Sequence, residues 1–354
     1  MSLLTETIAA ITPQDTVFRA RARERLEQLT MPFWALGRLM DLAEDLAGIT
    51  RSLRPPIARK TIVTMAGDHG VTVEGVSKFP QEVTAQMVHN FVNGGAGINA
   101  LARQVGAEVV VVDMGVAIDL SELVSQGKIM SRRVAPGTGN MALGPAMTRE
   151  QAVNSLEAGI EVVQKLSVST DVFGTGEMGI GNTTPSSAVV AVLSGASVET
   201  VTGAGTGIDE EQRNHKVAVI KRALAVNQPS RQDGLDVLAK VGGFEIGGIA
   251  GLILGAAALK KPVVVDGFIS TAGALIAHAL CPLAADYMIS AHRSMERGHV
   301  AALEILGKKP LIDLDLRLGE GTGAALAMNF LEAAVRVLTE VATFEEAAVS
   351  EANS

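Results

Sequence analysis

The sequence predicts an α/β protein built on a doubly wound parallel sheet. Short apolar segments that favour strands alternate with longer segments of helical periodicity along most of the 354 residues. The strongest strand, 108–114, is an unbroken apolar run of the kind that is buried on both faces of a parallel sheet. Glycines and polar residues follow several of the strands directly, where the ligand crevice of such a sheet forms.

Taken in order, the elements support this fold class. Leucines at helical spacing predict two N-terminal helices between Thr16 and Ala47, interrupted around Met31–Trp34. The predicted strands are 60–65, 108–114, 172–173, 200–202, 262–266 and 286–290. The predicted helices are 81–93, 148–166 with a capping box at its start, 183–193, 209–225, a buried helix at 247–259 and a tail helix from about 323 to 347. We expect the N-terminal helices and the tail to pack together beside the sheet.

Composition favours a small-molecule ligand. A net charge of −8 and an aromatic content of 3% lack the residue types that bind a nucleic acid backbone or stack on bases. The alternating arginines 19–25 fit a solvated helix face. The most apolar run has thirteen residues, short of the roughly 20 that span a bilayer, so no membrane span is predicted. The single cysteine, Cys281, and the absence of a signal pattern predict a cytoplasmic protein without an internal disulfide.

The glycine-rich stretch 171–187 predicts a phosphate-binding turn. We expect a strand that ends at Phe173, a turn through Gly174–Gly181, and a helix capped by one of residues 182–184. Free backbone N–H groups at that helix start would face an anion. Glu177 places a carboxylate inside this turn, which suggests that the ligand also carries hydroxyl groups, as a ribose 5′-phosphate does.

Other ligand classes match the sequence less well. Gly174–Gly179 fits the dinucleotide fingerprint, so an oxidoreductase is one alternative, but the next predicted strand ends in Gly203–Ala204 instead of an acid. The adjacent acids that bind a magnesium-pyrophosphorylated sugar are missing, and the six histidines lack metal-site spacing. We therefore predict no cofactor and no metal. A nucleotide sensor without catalysis is a second alternative.

Three further features are candidates for chemistry. The triplet Gly-Thr-Gly begins at residues 137, 174, 205 and 321, and these turns could line one crevice or be ordinary turn chemistry. Lys216 lies near the start of a predicted helix, either within reach of a bound anion or as a surface lysine. Glu320 stands between two glycines ahead of the tail helix, either presented to a cleft or interacting with the helix dipole.

These motifs resemble those of the nicotinate-nucleotide–dimethylbenzimidazole phosphoribosyltransferase family. The resemblance runs from Leu36 to the C-terminal helix. Its specific blocks are 68–70 (Asp-His-Gly), 80–84 (Pro-Gln-Glu-Val-Thr), 144–147 (Gly-Pro-Ala-Met), 176–179 (Gly-Glu-Met-Gly), 182–185 (Asn-Thr-Thr-Pro), 240–244 (Lys-Val-Gly-Gly-Phe), 266–268 (Asp-Gly-Phe) and 317–321 (Arg-Leu-Gly-Glu-Gly). The family's N-terminal signature, Lys-Pro-Pro-Gly-Ser-Leu-Gly-Arg, reads Met-Pro-Phe-Trp-Ala-Leu-Gly-Arg at 31–38 here.

The resemblance implies an architecture. It predicts a Rossmann-like catalytic domain at 56–324, a small helical domain formed by both chain ends at 1–55 and 325–354, and a homodimer. It also implies the transfer of phosphoribose from nicotinate mononucleotide to 5,6-dimethylbenzimidazole, which yields α-ribazole 5′-phosphate for the lower ligand of cobalamin.

The resemblance also implies roles for individual residues. Glu320 is expected to be the catalytic base. Phe79 and Met87 match positions that line the pocket for the base substrate. The expected substrate-binding residues as a whole are Phe79, Met87, Glu177, Met178, Gly179, Gly203, Gly205, Lys216, Asp266, Phe268, Ser290, Arg317, Leu318 and Gly319.

Overall fold

A computed structural model describes residues 2–205, 207 and 209–350. Within these residues, parallel strands form one sheet in the order β3-β2-β1-β4-β5-β6. The strands are β1 (Lys60–Gly67), β2 (Ala107–Gly115), β3 (Met130–Ser131), β4 (Val172–Met178), β5 (Val263–Val265) and β6 (Met288–Ser290). Strand order reverses between β1 and β4, as it does in doubly wound sheets, and the predicted fold class is confirmed.

Helices connect and cover these strands. They are α1 (Leu3–Ala10), α2 (Thr16–Glu27), α3 (Arg38–Thr50), α4 (Val83–Val92), α5 (Gly97–Val105), α6 (Ser121–Ser125), α7 (Arg149–Leu166), α8 (Thr183–Ser194), α9 (Val198–Val201), α10 (Glu210–Asn227), α11 (Gly234–Val241), α12 (Phe244–Ala258), α13 (Phe268–Leu280), α14 (Gly298–Leu306), α15 (Thr322–Glu340) and α16 (Phe344–Ala347). Two 3₁₀ turns are Gly70–Glu74 and Pro282–Tyr287.

Each face of the sheet has its own hydrophobic core. Along β1, Val63 and Met65 point into one core, while Ile62 and Ala66 point into the other. The first core is shared with α7, α8, α12 and α13, and the second with α2, α3, α5 and α15. The molecule is therefore a three-layer sandwich whose ligand-binding edge is the row of carboxyl ends of the strands.

One predicted strand is wrong, and one observed strand was not predicted. Residues 200–202 do not form a strand, because Ser197 caps a short helix: its Oγ accepts a hydrogen bond from the Thr200 N–H at 3.3 Å, and Val201 ends α9. The two-residue strand β3 is not predicted, since so short a segment carries no periodic signal. The last strand begins at Met288, because Tyr287 ends a 3₁₀ turn.

The chain ends meet on one face of the sheet. Arg25 Nε donates to the Leu338 carbonyl at 2.8 Å, and Leu29 pairs with Thr343 in an isolated bridge. In contrast, α1 packs on the opposite layer, where the Leu4 N–H donates to Glu157 Oε1 at 3.0 Å.

The predicted domain boundary at residue 325 lies inside α15. Met1 and residues 351–354 lie outside the described part of the chain, and the division into two domains stays a prediction.

The predicted buried helix is confirmed as α12, whose residues Phe244–Ala257 are buried. Cys281 is also buried. In the described part of the chain, no helix combines the length and the apolar character that crossing a membrane requires.

Glycines let α12 and α7 pack backbone against backbone. A Cβ added at Gly251 would collide with the Leu156 carbonyl oxygen, and one at Gly159 would collide with the Gly248 carbonyl oxygen. We expect Gly251→Ala to destabilise the protein by about 1–3 kcal/mol through overpacking, a loss larger than the roughly 1 kcal/mol that alanine gains in helix propensity. Urea unfolding measures this change.

Gly144→Ala is the control, because a Cβ at Gly144 meets nothing within 4 Å and the backbone there is not left-handed. Equal stability of Gly251→Ala and wild type would show that the two helices are not in backbone contact.

Candidate active site

A cleft of about 390 Å³ opens at the carboxyl ends of β4, β5 and β6. Segments that follow these three strands form its floor, and α4 and residues 317–320 form its walls. The lining residues are Phe79, Val83, Met87, Glu177, Met178, Gly179, Ile180, Asn182, Thr183, Gly205, Gly267, Phe268, Ile269, Ser270, His292, Ser294, Glu296, Arg317, Leu318, Gly319 and Glu320. Most residues expected at the site are thus brought together.

Strand β4 is longer than predicted. It continues to Met178, so Gly174 and Gly176 lie in a buried strand and not in a turn. Their missing Cβ atoms make room for neighbours: a Cβ at Gly174 would collide with the Ile62 side chain, and one at Gly176 would collide with the Glu320 carbonyl. The turn itself is Gly179–Asn182. Because the first two glycines are strand residues, the dinucleotide fingerprint does not form its characteristic turn.

Glu177 lies at the floor of the cleft. Asn182, one of the three expected caps, is the N-cap residue of α8, but its side chain makes no capping hydrogen bond because its amide donates to Glu177 Oε2. Burial raises the pKa of Glu177 to about 8, and the negative charges of Asp266 and Glu245 add to this effect. At pH 7 the free protein therefore holds a proton on this carboxyl group, which can donate a hydrogen bond to a ligand oxygen.

Lys216 is a buried residue, so the alternative that it is a surface lysine is wrong. Its side chain is 1% exposed, and Nζ donates to Thr183 Oγ1 at 2.5 Å. Burial lowers the pKa of Lys216 to about 8, although the Glu296 carboxylate opposes this shift. Since Thr183 and Gly205 line the cleft, the ammonium group lies directly behind its wall. Together with the start of α8, it makes this end of the cleft suitable for an anion.

Glu296 lines the cleft but was missed by the sequence analysis. Its Oε2 has no hydrogen-bond partner among the described residues, and burial raises its pKa while Lys216 opposes that rise. Gly203 stands beside it, where a Cβ would collide with Glu296 Oε2. Gly203 therefore makes room for a carboxylate, and it does not line the cleft. Thr206, the centre of the adjacent Gly-Thr-Gly triplet, lies outside the described residues.

Glu320 belongs to a left-handed turn at the rim of the cleft. The φ angles of Gly319, Glu320 and Gly321 are 81°, 64° and 98°, a conformation that is strained for a residue with a side chain. Its Oε2 accepts the Ile98 N–H at 3.0 Å at the start of α5. The carboxylate therefore caps α5 and not the tail helix. Burial raises the pKa of Glu320, and the Ile98 N–H opposes the rise.

Two further expected substrate contacts also lie behind the cleft wall. Asp266 and Ser290 are buried, and neither is among the lining residues. The Ser290 hydroxyl has no partner within the described part of the chain. Of the four Gly-Thr-Gly triplets, the one at 137–139 packs against Asp68 and lies away from the cleft. The triplets therefore do not all line one crevice.

Two histidines lie next to the cleft, where the sequence analysis assigned them no role. His292 is 2% exposed and lines the cleft just past β6. His299 lies behind it: Nδ1 accepts the Ser294 N–H at 2.8 Å, and Nε2 lies 2.9 Å from Thr271 Oγ1. Burial lowers the pKa of His299 to about 3, so it is neutral. The position of His292 past a strand end was a usable signal. No group of three metal-ligating side chains occurs among the described residues.

The cleft has two chemically different ends. Lys216, Thr183 and Gly205 form a polar end that suits an anion, and Glu177 lies next to it. The other end is walled by apolar side chains that suit a flat aromatic ring, and Glu320 stands at its edge; these side chains are Phe79, Val83, Met87 and Leu318. Phe79 and Leu318 are exposed, so this end is open to solvent.

Comparison with known proteins gives consistent matches over the whole chain. A family model described as Phosphoribosyltransferase matches residues 11–349. The nicotinate-nucleotide–dimethylbenzimidazole phosphoribosyltransferase of Syntrophotalea carbinolica is 68% identical over 351 residues, covering 99% of this chain and 99% of that protein. The protein of the same name from Geobacter sulfurreducens is 56% identical over 352 residues, again covering 99% of each.

Solved structures from Thermus thermophilus share the fold. A crystal structure of its nicotinate-nucleotide–dimethylbenzimidazole phosphoribosyltransferase superposes with a TM-score of 0.90 at 45% identity, covering 96% of this chain and 100% of that one. A second crystal structure, named CobT, superposes with a TM-score of 0.91 at 46% identity and covers 95% and 100%.

The buried carboxyl group of Glu177 should make stability depend on pH. Its pKa of about 8 in the folded protein lies above its ordinary value of 4.5. As the pH rises between these values, the unfolded chain ionises Glu177 while the folded protein keeps it protonated. Wild type should thus lose stability relative to Glu177→Gln by up to about 1.4 kcal/mol per pH unit.

Unfolding free energies of both proteins at pH 5, 6.5 and 8 measure this difference. The exposed Glu304→Gln is the control and should show no such trend. A difference between Glu177→Gln and wild type that does not change with pH would mean that Glu177 is ionised in the folded protein.

Proposed function

The chain belongs to the nicotinate-nucleotide–dimethylbenzimidazole phosphoribosyltransferase family, and we propose that it transfers the phosphoribosyl group of nicotinate mononucleotide to 5,6-dimethylbenzimidazole. The products are nicotinate and α-ribazole 5′-phosphate, the nucleotide of the lower ligand of cobalamin. The observation that carries this proposal is the position of Glu320, a carboxylate held in a strained turn between an anion-binding end and an apolar end of one cleft.

The two ends of the cleft divide the work of substrate binding. The phosphate binds where Lys216, Thr183 and the start of α8 supply positive charge and N–H groups. Glu177 binds the ribose hydroxyls, which its buried position at the floor supports. The base lies between Phe79, Met87 and the segment 317–319. The other expected residues, Met178, Gly179, Gly203, Gly205, Asp266, Phe268 and Ser290, shape this cleft or support its walls.

The chemistry needs one general base. The glycosidic bond of nicotinate mononucleotide joins C1′ to a pyridinium nitrogen, and the bonding pair leaves with the ring, which becomes neutral at that nitrogen. A lone pair on one nitrogen of the benzimidazole forms the new bond to C1′ from the opposite face, so the configuration inverts from β to α. The second nitrogen then carries a proton that must be removed, and Glu320 accepts it.

The environment of Glu320 supports this role. Its Oε2 is occupied by the Ile98 N–H, which leaves Oε1 available for a substrate N–H. Burial raises its pKa, which makes the carboxylate a stronger base. Because the base must be ionised before it accepts a proton, activity should fall as the pH is lowered through this raised pKa.

We extend the proposal to architecture and location. We propose a homodimer, which is supported by exposed apolar side chains near the cleft mouth and in the N-terminal segment: Phe33, Phe79, Leu314 and Leu318. We also propose that the helices at 1–55 and 325–354 form a small helical domain beside a catalytic domain at 56–324. A cytoplasmic location fits the single buried cysteine. The oxidoreductase alternative is disfavoured, because the first two glycines of the fingerprint lie in strand β4 and do not form its characteristic turn.

Incubation of the protein with nicotinate mononucleotide and dimethylbenzimidazole tests the reaction directly. We expect release of nicotinate that depends on both substrates. Binding without turnover would instead indicate a nucleotide sensor, and binding of a reduced nicotinamide dinucleotide would indicate an oxidoreductase.

Glu320→Gln should lower kcat by about 10²- to 10⁴-fold, because the amide keeps the shape but cannot accept the proton. The affinity for nicotinate mononucleotide should change little, since Glu320 does not touch the phosphate end. Steady-state kinetics and calorimetric titration measure the two effects. The control Glu304→Gln, an exposed residue of α14, should retain wild-type turnover. Near-normal turnover of Glu320→Gln would remove this residue from the mechanism.

Lys216→Met should weaken nicotinate mononucleotide by about ten- to a hundredfold, because it removes a charge-assisted hydrogen bond worth about 1.5–3 kcal/mol. Methionine keeps the apolar stem, so the buried site stays filled. The affinity for dimethylbenzimidazole should remain within a few fold of wild type, as calorimetry with each substrate can establish. Equal weakening of both substrates would indicate that Lys216 has only a structural role.

A further inference from the structure

The turn that carries Glu320 needs an external support. Three successive residues, Gly319, Glu320 and Gly321, have positive φ, and only the two glycines adopt this conformation without strain. Such a conformation persists when surrounding contacts determine it. Contacts from outside the turn must therefore hold it against the sheet.

Asp266 supplies the principal support. It follows β5 directly, and its two carboxylate oxygens accept different backbone groups of the turn and the helix after it. Oδ2 accepts the Gly321 N–H at 3.2 Å, and Oδ1 accepts the Ala324 N–H at 2.9 Å. The carboxylate thus caps the start of α15 and fixes the residue that follows Glu320.

The support is anchored in the centre of the sheet. The Asp266 backbone N–H donates to Thr175 Oγ1 on β4 at 3.0 Å, so the aspartate cannot move independently of that strand. On the other side, Thr64 Oγ1 on β1 donates to the Glu320 carbonyl at 3.1 Å. Residues in or directly after β1, β4 and β5 therefore hold one short turn.

The Asp266 carboxylate faces protein on every side. It is 1% exposed, and the cleft-lining residues do not include it. The N–H groups of the turn compensate its charge, and His292 Nδ1 lies 3.7 Å from Oδ1. Glu177 and Glu320 are the nearby acids whose pKa values its charge helps to raise. The expectation that Asp266 contacts substrate does not agree with this placement.

We propose that Asp266 is a positioning residue that acts through Glu320, by holding the 319–321 turn so that the free Glu320 oxygen points at the N–H of the bound base. This inference rests on the proposed role of Glu320 as general base. Under this proposal, Asp266 does not contact the nucleotide. A shift of the turn by about 1 Å would then be costly, because misplacement of that size can reduce a rate by about a hundredfold.

A double-mutant cycle tests this proposal. Asp266→Asn keeps the size of the side chain but replaces one of its two acceptor oxygens with an NH₂ group. The side chain can then accept only one of the two backbone N–H groups, Gly321 or Ala324. We expect kcat to fall by about ten- to a hundredfold in the wild-type background, with nicotinate mononucleotide affinity within about threefold of wild type. In the Glu320→Gln background the same substitution should lower kcat by less than about threefold, because the group it positions is already inactive.

Asp113→Asn is the matched control. Asp113 is also buried, lies near the end of β2, and uses Oδ1 to accept the Gly115 and Val116 N–H groups at 3.0 and 2.9 Å. This substitution disturbs an equivalent capped turn away from Glu320. We expect it to lower the melting temperature while leaving kcat within about twofold of wild type.

Hydrogen exchange gives a readout that does not depend on turnover. Asp266→Asn should speed exchange at the Gly321 and Ala324 amides, and Asp113→Asn should not. If Asp266→Asn proves too unstable to purify, Thr64→Val removes the other support of the turn. It should lower kcat in the wild-type background and not in the Glu320→Gln background.

Four results would overturn the inference. Equal losses of kcat from Asp266→Asn in both backgrounds would mean that the aspartate acts elsewhere, for example through Glu177. A large loss of nicotinate mononucleotide affinity would indicate direct substrate contact, and unchanged amide exchange would show that Asp266 does not hold the turn. Near-normal turnover of Glu320→Gln alone would instead refute the role of Glu320, and the inference with it.

Discussion

The site depends on a close backbone contact between strand β4 and the turn that carries Glu320. Gly176 has no Cβ, so the Glu320 carbonyl can lie against the strand, and a side chain at this position would displace the turn. Gly174 similarly makes room for Ile62 and Met328. The glycines of the motif thus act by bringing two distant segments of the chain together, and residues after them form the polar end of the cleft.

The contact also concentrates buried acids at one edge of the sheet. Glu177, Asp266 and Glu320 are each at most 6% exposed, and burial raises the pKa of every one of them. Burial of a charged group costs free energy of folding unless N–H groups or cations compensate for the lost hydration. At this site, hydrogen bonds from backbone N–H groups offset much of that cost. Such perturbed carboxyl groups in a cleft are typical of sites that move protons. The arrangement therefore favours chemistry at some cost in stability.

Much of the fold could be predicted, because buried parallel strands such as 108–114 are long and apolar. The errors fell on short segments: residues 200–202 are β-branched but end a helix that Ser197 caps, and β3 has two residues. At the site, motifs and resemblance pointed to Glu177, Lys216 and Glu320, and the structure places these residues in the cleft or directly behind its wall. Glu296 and the Asn182–Glu177 contact could not be found, since each depends on groups that are brought together only by the tertiary fold.

The Glu320 turn and the apolar end of the cleft differ in how firmly they are held. The Glu320 turn is fixed by residues in or directly after β1, β4 and β5, where Thr64, Thr175 and Asp266 are fully buried and hydrogen-bonded to one another or to the turn. The apolar end is made of side chains from α4 and from loops, and the side chains of Phe79 and Leu318 there are at least half exposed. Changes at such positions alter the shape offered to a ring without moving the sheet. Substitutions at the apolar end can therefore change the shape of the cleft while the position of the Glu320 carboxylate stays constant.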